Sequence, residues 1–150
     1  MGGEIGPTPT WLRAALRVHG AYFVGYAVFF ELLPRPALER LGLQAPQDLL
    51  GGIATSVAAG GLLTCGVLFL LAAQQPVVPR FVLATALVQT TYNLFHDAVG
   101  SLRYTLSTAP QVGLVVADTA LIATLFVVYL VSWRRAGSWS LDTRAPAAGE

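Results

Sequence analysis

Apolar positions along the chain gather into four long runs. They cover about residues 14–33, 49–73 and 79–102, and a fourth stretch that begins after Thr108-Ala109-Pro110-Gln111 and ends near residue 133. Each holds about 20 or more residues, enough at a rise of about 1.5 Å per residue to cross a hydrocarbon core of roughly 30 Å. The breaks between them are chemically marked. Pro34 and Pro36 close the first run, Asp48 stands where it can cap the second, Pro76 follows the second, and Thr108 to Gln111 has capping-box spacing before the fourth. The pattern predicts an all-α fold, a four-helix transmembrane bundle with antiparallel, up-down-up-down helices. The membrane domain is expected over residues 11–135. Residues 1–10 and 136–150, rich in Gly, Pro, Ser and Ala without periodicity, are expected to be flexible tails.

The third run departs from uniform apolarity. At 100° per residue, Thr85, Gln89, Asn93, His96 and Gly100 fall on one narrow stripe, with Asp97 on its flank. Polar groups in hydrocarbon must pair inside the bundle or line a wet cavity, so this face is expected to meet other helices. As interhelical glue each contact would contribute about 0.6 to 2 kcal/mol; the other reading of the same stripe is a binding site. The second run carries a different row. Gly52, Ser56, Gly60 and Thr64 recur every four residues, a packing face that suits either tight bundling or dimerisation.

Composition agrees with a membrane solvent, at 55% hydrophobic and 11% charged residues. All nine basic residues are arginine and the net charge is +1, which excludes a nucleic-acid surface. Cys65 is the only cysteine, so an intramolecular disulfide and a Cys-x-x-Cys redox pair are excluded. Arg13 and Arg17 precede the apolar stretch 20–30 as in a signal peptide, but no small-x-small site closes it, and an uncleaved anchor is expected. Six arginines fall on the side of the two termini and three on the other, predicting that both termini are cytoplasmic. Trp11, Tyr104, Tyr129 and Trp133 lie near span ends, where amphipathic rings favour the interface. The segment 35–47 is expected to contain a short interfacial turn of helix.

Candidate chemistry concentrates in the outer half of the predicted bundle. Counted along the helical rise, Glu31 lies ~5 Å, His96 ~10 Å and Asp118 ~13 Å from the outer ends, with Asp97 level with His96. Asp118 is the most informative, because an unpaired charge inside an apolar span costs about 2.5 to 3.5 kcal/mol. The predicted pocket comprises Glu31, Gln89, Asn93, His96, Asp97 and Asp118. Plainer readings exist: Asp118 bonded to His96 would simply hold two helices, and Glu31 would reach the headgroups or Arg35. His19, beside Arg17, is read as an interfacial side chain. No His-x-x-x-His or cysteine cluster is present, and His19 and His96 differ in depth, so neither a metal nor a haem or other cofactor is expected.

Arg17 with Gly20 and Gly25 opening the first helix, the segment 34–42 after it, and Tyr92, Asn93, Leu94, Phe95, His96 and Asp97 in the third resemble the DoxX-like set of small four-helix bacterial membrane proteins. The resemblance covers the whole membrane portion and implies fold and location more than function. The function expected is a non-enzymatic accessory or binding protein with a polar outer pocket for a small ligand, lipid headgroup or partner helix. Its partners would be the bilayer, a small ligand or lipid, and a second copy or another membrane protein, without nucleic acid. Two alternatives stand beside it: an intramembrane enzyme using His96 as acid or base, and an oligomeric proton-coupled transporter with Asp118 or Glu31 as carrier.

Overall fold

A computed structural model describes residues 8–32, 35–40, 49–103 and 109–135. They form α1 (Thr10–Leu32), a six-residue α2 (Arg35–Arg40), α3 (Leu49–Ala72), α4 (Arg80–Arg103) and α5 (Ala109–Arg135), with no strand among the described residues. The fold is all-α, built on four long helices. The expected tails at 1–7 and 136–150, Asp48, Thr108 and Tyr104 lie outside the described residues.

Helix boundaries follow the punctuation, with one shift. α1 begins four residues before the expected run because the Pro9 carbonyl accepts the amides of Leu12 (3.1 Å) and Arg13 (3.2 Å), so Pro9 caps the helix. Pro79 does the same for Val82 (3.0 Å) at the start of α4. Thr8, expected in a tail, is instead buried. Its amide donates to the Pro76 carbonyl (3.1 Å), its hydroxyl accepts from the Val78 amide (2.8 Å), and Arg13 Nη2 donates to the same Pro76 oxygen (3.0 Å). The segment before α1 is thereby tied to the α3–α4 connection.

α1 packs most extensively on α3, and α4 on α5; α1 against α5 joins the two pairs, while α3 and α4 touch little. The α1–α3 crossing is made by glycine. A Cβ on Gly20 would fall 2.7 Å from the Gly66 carbonyl oxygen, and one on Gly66 would fall 2.9 Å from that of Gly20. The small-residue row Gly52, Ser56, Gly60 and Thr64, which suits bundling or dimerisation, is not packed against another helix among the described residues. Added Cβ atoms on Gly52 and Gly60 would find no atom within 4 Å, and Ser56, Gly60 and Thr64 are exposed. The contact falls on Gly66 because α3 turns its Gly66 and Phe69 side toward Gly20, His19 and Phe23 of α1.

Among the described residues, burial gathers toward one end. Its core holds Leu12, Leu16, Phe23, Phe69, Val82, Ile122 and Tyr129. Toward the other end, buried side chains stop at Ala27, Ala59, Thr90 and Ile122. Large apolar side chains stand open along the whole length of the helices, among them Phe81 (61% exposed) at the packed end and Val57 (70%), Phe95 (65%) and Val116 (62%) beyond it. Two stretches, Thr55–Ala72 and Val112–Arg135, are long and apolar enough to cross a membrane, and only 22% and 17% of them is buried.

Candidate binding site

The buried rows of three helices run directly into the polar residues. On α5, Ile122, Leu125, Tyr129 and Ser132 repeat at three and four residues, and Asp118 is the next position of that row. On α4 the buried row is Val82, Ala86 and Thr90, and it continues seven residues on at Asp97. On α1, Tyr22 and Tyr26 flank the buried row Leu12, Leu16, His19 and Phe23. Where the core ends, these rows bring two carboxylates and two phenols together.

The Tyr22 hydroxyl donates to Asp118 Oδ1 at 2.5 Å, linking α1 to α5. The Thr119 hydroxyl donates to Asp97 Oδ2 at 3.0 Å, linking α5 to α4. Tyr26 lies within electrostatic range of both carboxylates, and Asp118 within range of Asp97 and His96. Tyr22, Asp97, Asp118 and Thr119 are all half-buried. A carboxylate has roughly four lone-pair positions, so one hydroxyl leaves each with spare acceptor capacity. Two acidic groups with free acceptor sites at a partly open position suit a ligand that donates hydrogen bonds or carries positive charge.

The expected stripe on α4 is only partly assembled into this cluster. Thr85 turns its hydroxyl to the Phe81 carbonyl (2.9 Å) and Gln89 Nε2 donates to Asn93 Oδ1 (3.3 Å), both bonds within α4. His96 is exposed beside Tyr92, their ring centroids 6.3 Å apart, so it lies at the rim. Gly100 belongs to α4, and its surroundings lie outside the described residues. Glu31 is in a different place altogether. It is nine residues from Tyr22, half a turn out of phase on a helix, and it lines a groove between α1 and α3. No set of three His, Cys, Asp or Glu side chains among the described residues could hold a metal ion.

Two residues read from the sequence as interfacial are buried instead. His19 and Tyr129 are both 0% exposed. The Tyr129 hydroxyl donates to the Ala15 carbonyl (3.3 Å) and accepts from His19 Nδ1 (3.1 Å), which places the imidazole proton on Nδ1. Nε2 then remains buried without a hydrogen-bond partner. Phe23 and Phe69 enclose the ring, with centroids 4.3 Å and 4.8 Å away. The cause is register: residue 19 falls on the α1 row of Leu12, Leu16 and Phe23, and residue 129 on the α5 row, and both rows face the core. Trp133, also expected at the interface, is half-buried under Arg80, whose guanidinium carbon lies 4.6 Å from its ring centroid.

Comparison with known proteins finds no family model that matches the chain, and no curated protein or solved structure similar to it.

Proposed function

We propose that the chain is a four-span membrane protein of the accessory or binding type, whose Asp118–Asp97 cluster receives a small hydrogen-bond-donating or cationic ligand. The observation that carries this reading is the position of the two carboxylates. They continue the core rows of α5 and α4 to the point where burial stops, held by Tyr22 and Thr119.

Membrane residence is supported by two long apolar helices that are mostly unburied and by the open apolar surface around them. Internal satisfaction of polar groups supports it too. The hydroxyls of Thr64, Thr85, Thr90, Thr91, Thr124 and Ser132 each bond to a carbonyl one turn earlier, which suits a solvent that offers no hydrogen bonds. α1 and α4 are less apolar because they carry most of the ionisable and amide side chains, among them His19, Gln89, Asn93 and Asp97. In this proposal the four long helices cross alternately, in up-down-up-down order. The packed end carries Arg13, Arg17, Arg80, Arg134 and Arg135 and faces the cytoplasm of a bacterial cell. Membership of the DoxX-like proteins belongs to the same proposal and rests on the residues quoted above.

The test is a thermal melt of the detergent-purified chain against a panel of small primary amines, guanidinium compounds and matched neutral amides. At least one cationic compound should raise the midpoint for the parent and leave Asp118→Asn unchanged. If no compound acts on the parent, and Asp118→Asn and Tyr22→Phe merely melt lower, the cluster is interhelical glue and the binding reading fails.

A further inference from the structure

Away from the cluster, α1 and α3 enclose a groove of about 320 Å³. Its origin is the crossing at Gly20 and Gly66, where the backbones are closest; beyond it, small residues leave space between them. Its lining includes buried Ala27 and Ala59 and the more open Gly60, Leu32 and Leu63, and Glu31 is its one charged member among the described residues. Leu32 and Leu63 are exposed, as is Glu31 itself. The row Gly52, Ser56, Gly60 and Thr64, which packs against no other helix among the described residues, supplies part of this surface.

We propose that this groove holds one acyl chain of an amine-headed phospholipid, with Glu31 receiving the ammonium group. The proposal rests on the membrane reading above. An apolar trough with a single carboxylate near the end of α1 has the polarity of an amphiphile with a positive head. Glu31 is one residue from the last residue of that helix, the level at which headgroups lie when α1 spans the bilayer. A primary ammonium can both neutralise the carboxylate and donate hydrogen bonds to it. A choline head keeps the charge without a donor, and a glycerol phosphate head brings only negative charge. A second copy of the chain fits less well, since a helix about 10 Å across could lay only an edge into a groove of this volume.

The full chain would be purified in detergent and mixed with phosphatidylethanolamine, phosphatidylcholine or phosphatidylglycerol of identical acyl chains, with retained lipid counted by native mass spectrometry. Phosphatidylethanolamine should be retained over phosphatidylcholine by roughly fivefold, the upper range of an exposed ion pair, and phosphatidylglycerol least. Glu31→Gln should bring the first two to parity. Gly60→Leu should lower retention of all three while leaving the melting midpoint near the parent's, because its Cβ enters open space. Equal retention of the three lipids by the parent, an unchanged preference in Glu31→Gln, or unchanged retention in Gly60→Leu would overturn the proposal. So would a Gly60→Leu variant that loses a dimer while keeping its lipid, which would assign the groove to a second copy. A chain extracted from membranes by alkaline carbonate would defeat the membrane reading itself, whereas a membrane-retained chain without headgroup preference defeats only the groove.

Discussion

The two ends of the bundle solve opposite problems with the same helices. At one end, Phe23, Phe69 and Tyr129 close around His19 within a core that also holds Leu12, Leu16 and Ile122, and the segment before α1 is bonded to the α3–α4 connection. At the other, the α5 and α4 rows that built this core go on into Asp118 and Asp97, Tyr22 bonds to Asp118 from beside the α1 row, and buried side chains give out. Packing complementarity can be spent on rigidity or on access, and here the division falls along the helix axis. A polar group buried at the closed end can act only on the protein's own atoms, as His19 does on Tyr129. A polar group where the packing stops keeps acceptor positions for something else.

Substitutions at the closed end should therefore move stability most. Gly66→Val drives a branched side chain into the Gly20 carbonyl and the Phe23 and Val24 side chains, and should lower stability by about 3 kcal/mol or prevent folding. A chemical-denaturation series in detergent would read this, and a parent-like midpoint would mean the glycine crossing is not formed. Tyr129→Phe comes next, at about 1 to 3 kcal/mol, because it leaves the buried His19 Nδ1–H without an acceptor. The double substitution with His19→Phe should recover part of that loss, since it removes both halves of the polar pair; additive losses would dissolve the pair.

At the open end the same kind of change should be milder in stability and larger in binding. Tyr22→Phe removes one hydroxyl from the Asp118 carboxylate and should cost about 1 to 2 kcal/mol while weakening the response to cationic ligands. A stability loss larger than that of Tyr129→Phe would reverse the order of the two ends. Arg80→Ala, on the surface of the closed end rather than in its core, should be the smallest of the set, about 0.5 to 1 kcal/mol for an exposed cation resting on the Trp133 ring. Near-ultraviolet circular dichroism of Trp133 would check that this contact, and not a wider rearrangement, was removed.

Much of this layout was legible in the chain. Proline placed the helix ends within a few residues, because a ring without an N–H interrupts a helix interior and is tolerated only in its first turn, where Pro36 and Pro110 stand. Asp118 stood out as a charge in an apolar run, and the structure puts it at the end of the α5 core row. What periodicity could not tell was which side of α4 faces inward. The polar stripe through Gln89 and His96 is the more conspicuous pattern, yet the row that packs is Val82, Ala86 and Thr90, so Asp97 is half-buried and His96 exposed. Tyr22 went unnoticed because a tyrosine in an apolar run reads as bulk until its hydroxyl has a partner. Its spacing from His19 and Tyr26, three and four residues, was the available signal. His19 and Tyr129 were misplaced because nearness to a helix end suggests an interface, whereas their rows point into the core. Gly20 and Gly66 form no four-residue row, so the α1–α3 crossing had no motif to announce it.

The contrast between the ends is open to one direct measurement. With Cys65 replaced by serine, single cysteines at His19, Tyr129, Tyr22, Asp118 and His96 would be challenged with a water-soluble maleimide in intact membranes. The account predicts rapid labelling at His96, slower but measurable labelling at Asp118 and Tyr22, and none at His19 or Tyr129 until the protein is unfolded. Labelling of His19 and Tyr129 while Asp118 and Tyr22 stay protected would put the open end where the closed end is described, and would contradict it.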